Sequence, residues 1–136
     1  RLDNLHAALL NMKFNYFEPW IKRRREVAKM YNEGLFDIPE LTLPPKSNSD
    51  YFDVYQNYVI RTEQRDKLVA HLQKSGVEVL VSWRVPMHKQ KTLGLDRFKL
   101  PMTERISAEV ISLPMYPELT DEEVEFVIEA VRQFFA

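Results

Sequence analysis

The sequence contains no cysteine, which excludes disulfides, thiolate zinc sites and cysteine nucleophiles together and leaves the redox compartment open. Glycine is scarce. Only Gly34, Gly76 and Gly94 occur, so no glycine-rich turn is available to cradle a phosphate. No run of about 18 apolar residues exists to span a bilayer, and the first residues lack the apolar stretch and cleavage site of a signal peptide. Neither sign of charge is in excess: 19 Lys and Arg against 20 Asp and Glu leave a net charge of -1. No global field therefore points to nucleic acid or an anionic membrane, and a cytoplasmic protein is the default expectation. The three histidines, His6, His71 and His88, lie far apart without metal-ligand spacing, so no metal site is expected. An initiator methionine is also missing, and the chain is expected to begin inside a longer polypeptide.

What is present suffices for one core: 136 residues, 45% of them hydrophobic, predict a single domain. Asp3 suits an N-cap, and Leu5, Leu9, Met12 and Tyr16 recur at helical spacing to about Tyr16. Pro19 fits the first turn of a second helix, with Trp20, Ile21, Val27, Ala28, Tyr31 and Leu35 as its apolar stripe and Gly34 as its stop. Residues 1–36 are thus a helical arm, and the prolines and serines of residues 37–50 read as a linker. Residues 51–136 read as an α/β sandwich. Within it, Val54 to Thr62 is rich in β-branched and aromatic residues, Thr62 suits a helix N-cap, and the alternation of Val77, Val79, Val81 and Trp83 predicts a half-buried strand. Together they form a β-α-β unit. A short helix over Pro101 to Glu109 and a strand over Val110 to Leu113 follow, then a turn at Pro114 and Pro117. The clearest element is last: Thr120-Asp121-Glu122-Glu123 is a capping box preceding the stripe Val124, Val127, Ile128, Val131 and Phe135. The fold predicted is α/β, a roughly three-stranded sheet packed with helices and preceded by a two-helix arm.

Among groups that could carry chemistry, His6 and His71 fall on amphipathic helices and read as structural, whereas His88 lies in a loop after the predicted strand, where a scaffold can present polar groups. The run Lys22 to Arg25 points around a helix and is diluted by Glu26 and Glu33, which makes it a solvated face rather than a nucleic-acid patch. Arg24 alone falls within the apolar stripe and is expected to be half-buried against a carboxylate. Lys74 and Lys91 each follow a histidine by three, yet neither has a phosphate-binding turn beside it to suggest a Schiff-base lysine. Trp83 continues the alternation of Val79 and Val81 and can serve the core. Phe14, Tyr16, Phe17 and Trp20 crowd the helix junction beyond what a small sheet needs.

Three segments resemble the DegT/DnrJ/StrS family of sugar aminotransferases, pyridoxal-phosphate enzymes of fold type I. Arg1-Leu2-Asp3-Asn4-Leu5-His6-Ala7-Ala8 is similar to the family's Asn-x-Arg-Met-Asp-x-x-Gln-Ala-Ala segment, and Ser82 to Gln90 to its His-Tyr-x-x-Pro-Leu-His-x-Gln loop. The most specific is Leu113-Pro114-Met115-Tyr116-Pro117-Glu118-Leu119-Thr120-Asp121, which resembles Leu-Pro-Leu-Tyr-Pro-Glu-Leu-Thr-Asp. The resemblance implies the small C-terminal domain of a homodimeric enzyme that moves an amino group from glutamate to a nucleotide-linked keto sugar. It places pyridoxal phosphate, its lysine and its pyridine-nitrogen aspartate in a large domain upstream of Arg1, with no catalytic residue in this chain and no cofactor bound by it alone. It further implies Arg1 near the cofactor phosphate, and His88, Trp83, Ser82 and Arg84 as substrate-binding residues. Ser82, where the family often has histidine, and Gln56, near a family His-x-Tyr, depart from the pattern. The competing reading is a stand-alone α/β ligand-binding or dimerisation module. A fragment should expose the Phe14 to Trp20 cluster, and a self-sufficient module should bury it.

Overall fold

The structure is a computed structural model that describes residues 3–48 and 50–136. Asp3 caps the first helix, α1 (Asn4–Phe14), by accepting from the His6 amide at 2.8 Å. The second, α2 (Phe17–Leu35), begins two residues before Pro19, which sits in the first turn, where its missing N–H removes no helical bond. Gly34 does not stop this helix: it lies within α2, and a Cβ there would stand 2.7 Å from Ile128 Cγ2. The glycine permits the close approach of α2 to the last helix, α5 (Asp121–Phe135).

Among the described residues two strands form. Antiparallel β1 (Tyr58–Arg61) and β2 (Val110–Leu113) pair Tyr58 with Leu113 and Ile60 with Ile111. α3 (Arg65–Lys74) follows β1, and α4 (Pro101–Glu109) leads into β2. Val54 to Tyr55 stays outside the strand because Tyr55 takes a left-handed conformation, φ 51°, that breaks extended backbone. The third strand predicted over Val77 to Trp83 is reduced to one bridge, Leu80 with Ser112. On the edge of β2 that faces Leu80, the next pairing positions would be Val110 and Pro114. Val110 spends its N–H on Ile106 at the end of α4, and proline has none. The chain then bends away at Ser82 and Trp83. Since β1 and the Leu80 segment are both antiparallel to β2, they run parallel on either side of it, a split β-α-β unit with α3 as the crossover. Beyond β1, Thr42 bridges Arg61.

The core lies between the sheet and α2, α3 and α5, where Tyr31, Leu35, Tyr58, Ile60, Leu68, Leu72, Ile111 and Val124 are fully buried. Both bonds of the predicted capping box are present: Glu123 N donates to Thr120 Oγ1 at 3.2 Å and Thr120 N to Glu123 Oε2 at 2.9 Å. Among the described residues, no helix is long and apolar enough to cross a membrane.

Candidate substrate-facing segment

The signature segment Leu113 to Asp121 is held to α2 by its carbonyl groups. Tyr31 Oη donates to Pro114 O at 2.9 Å, and Arg23 reaches Leu119 O and, at 2.7 Å, Asp121. Arg24 departs from expectation: its Nη1 finds no carboxylate but three carbonyls, Tyr55 at 3.0 Å, Gln56 at 2.9 Å and Met115 at 3.1 Å. Tyr55, whose carbonyl is one of the three, is left-handed, and carbonyl oxygens satisfy a guanidinium without the cost of burying a second charge. Burial, and then the neighbouring Tyr116, hold the Tyr31 hydroxyl well above the usual phenol range.

The loop that leaves the Leu80 bridge presents Ser82, Trp83 and Arg84 to solvent, with Trp83 63% exposed. The indole therefore does not belong to the core, although its alternation with Val79 and Val81 allowed that. Arg84 lies 4.0 Å from Asp66, both exposed, which leaves its guanidinium available to a ligand. His88 is set differently: it sits in a single 3-10 turn, Met87–Lys89, at 5% exposure, with Nε2 3.0 Å from Glu104 Oε1. An ionised carboxylate can only accept, so Nε2 carries the proton of this bond. The bond from His88 holds the Glu104 carboxyl below its ordinary range, with Leu100 N and Lys89 acting in the same sense and burial against it. Of the four substrate residues expected from the sequence, three thus share one exposed turn and the fourth faces inward. Arg1 lies outside the described residues. Glu104 escaped the sequence reading because its partner is sixteen residues away; its position in the first turn of α4 was the only local signal.

The first helix and its junction with α2 are uncovered, whereas the rest of α2 packs into the core. No described residue of α1 is buried, and Leu5, Leu9, Met12 and Phe14 are all exposed, Phe14 by 69%. Phe14 stacks on Phe17 at 5.7 Å between centroids and Tyr16 on Trp20 at 5.9 Å. A helix apolar on several faces is built to be covered, and this exposure is what the fragment reading required.

A concavity of about 690 Å³ between the Leu80 segment and α5 is lined by Glu78, Glu122 and Glu123 and by no lysine, arginine or histidine among the described residues, the wrong sign for a phosphate. Lys74 and Lys91 are both exposed. Among the described residues no group of three or more His, Asp or Glu side chains could hold a metal ion.

A split β-α-β sheet backed by a two-helix arm, with a signature turn clamped to α2, is the fold found in sugar aminotransferases: S. venezuelae DesV, solved in complex with a ketimine intermediate, matches with a TM-score of 0.91 at 33% identity over 98% of this chain and 37% of that one. Residues 1–132 match the DegT/DnrJ/EryC1/StrS aminotransferase family, and the chain belongs to that family. Among its relatives are a pleiotropic regulatory protein of Geobacillus stearothermophilus, 34% identical over 99% of this chain and 37% of that protein, and a dTDP-3-amino-3,6-dideoxy-alpha-D-galactopyranose transaminase of Aneurinibacillus thermoaerophilus, 36% identical over 98% of this chain and 37% of that protein. The chain therefore spans 37% of the length of these relatives.

Proposed function

We propose that this chain is the small domain of a pyridoxal-phosphate-dependent nucleotide-sugar aminotransferase that transfers an amino group from glutamate to a keto sugar. The observation that carries the reading is the match of nearly the whole chain to 37% of transaminases with the same fold. The family is one of pyridoxal-phosphate aminotransferases, and the cofactor, which supplies the electron sink for amino transfer, is held by the part of the enzyme that the remaining length of the relatives represents. The exposed arm packs on that larger part within a homodimer, and the compartment is the cytoplasm.

In this reading the turn at residues 82–84 forms the small domain's wall of the sugar-nucleotide pocket. The Trp83 face stacks on a sugar ring, the Arg84 guanidinium pairs with the diphosphate, and the Ser82 hydroxyl bonds a sugar hydroxyl. In the whole enzyme, Trp83→Ala and Arg84→Ala should each raise KM for the sugar nucleotide about tenfold and leave KM for glutamate unchanged. Equal losses for both substrates, or for neither, would contradict the assignment. The alternative, a stand-alone binding module, is disfavoured by the uncovered apolar arm.

A further inference from the structure

Two side chains of α4 hold the 82–88 segment from behind. Ser107 Oγ donates to the carbonyl of Trp83, and Glu104 Oε1 accepts from His88 Nε2. Three residues apart, Glu104 and Ser107 project from one helix face, so a single face grips both ends of the turn that displays Trp83 and Arg84. The same Glu104 oxygen receives the Leu100 amide at 3.3 Å and stands 3.3 Å from Lys89 Nζ. The other described backbone bonds of this stretch, Lys89 N to Pro86 O, Gln90 N to Met87 O, Leu93 N to Gln90 O, Gly94 N to Lys91 O and Phe98 N to Leu95 O, all close within it. They shape the loop without fastening it to the domain. The helix itself is firmly based, since the buried Glu109 at its end takes Arg61 Nη2 of β1 at 2.7 Å and Arg105 Nε at 2.6 Å.

We infer that Glu104 and Ser107 are positioning residues that set where Trp83 and Arg84 meet the sugar nucleotide, and that His88 is the handle by which Glu104 does so and does not itself contact the sugar. The inference rests on the reading that residues 82–84 face the substrate. A ligand gains from a wall held in place beforehand because less ordering is left for the binding step.

The test uses the whole enzyme, with dTDP-glucose and UDP-glucose as unreactive probes measured by calorimetry and amide hydrogen exchange followed across residues 83–92. Glu104→Ala should speed exchange in that stretch and weaken the better probe, each about tenfold, without moving the thermal midpoint of the protein. Glu104→Gln, which keeps an oxygen acceptor for His88, should restore most of both effects, and Ser107→Ala should reproduce them in a milder form from the other end. Unchanged exchange in Glu104→Ala and Ser107→Ala would overturn the clamp whatever the binding data. Faster exchange with unaltered probe affinity would overturn its role towards substrate. Failure of the wild-type enzyme to bind either probe would instead overturn the underlying reading of the 82–84 face, with exchange still reporting on the clamp.

Discussion

Arg24→Ala is expected to destabilise the chain by about 2–4 kcal/mol, an unusually large effect for an arginine that is not fully buried. One nitrogen of its guanidinium serves three carbonyl oxygens from two distant segments, Tyr55 and Gln56 before β1 and Met115 after β2. Removing it leaves these acceptors without a donor and frees Tyr55 from the contact that helps hold its left-handed backbone. Arg24→Lys should recover only part of the loss, because an ammonium on a shorter stem offers a point charge in place of the planar fork. Urea denaturation followed by circular dichroism reads the difference. A loss below about 0.5 kcal/mol, the range of ordinary surface substitutions, would show that the three bonds contribute nothing net.

Tyr31→Ala should be more damaging still, at about 3–5 kcal/mol for loss of a buried aromatic side chain. Tyr31 is fully buried, its ring lies 4.9 Å from that of Tyr58, and its hydroxyl donates to Pro114 O at 2.9 Å. Tyr31→Phe separates packing from hydrogen bonding, since only the hydroxyl is lost. It should cost about 1 kcal/mol, with the Pro114 carbonyl left short of a donor. If the two variants were equally destabilised, the hydrogen bond and not the packing would be the main contribution of Tyr31, and the core between α2 and the sheet would be organised otherwise than described.

Elements whose determinants are local were legible in the sequence. The capping box at Thr120 and Glu123, the proline-started helix at Pro101 and the Asp3 cap each depend on residues within one turn. The misreadings have a tertiary cause. Val77 to Trp83 has the alternation of a strand, but pairing depends on donors of β2, which Pro114 lacks and Val110 has already given to α4. Gly34 reads as a helix stop in isolation, and only the side chain of Ile128 explains it. The partners of Arg24 are backbone carbonyls that no side-chain pattern encodes. At the candidate site the sequence showed the motif around Ser82 to Gln90 and its loop character. The inward turn of His88, and with it Glu104 and Ser107, depends on a helix that the sequence places nearby only once the chain is folded.

The most direct test of the account fixes the cofactor chemically. The whole enzyme, purified with pyridoxal phosphate and reduced with borohydride, should carry the reduced cofactor on a lysine that precedes residue 1 of this chain, as found by peptide mapping, and the unreduced enzyme should pass ¹⁵N from labelled glutamate to a nucleotide-linked keto sugar. Reduced cofactor on Lys74, Lys91 or any other lysine within residues 1–136 would contradict the assignment of this chain as the small domain that closes a pocket built elsewhere.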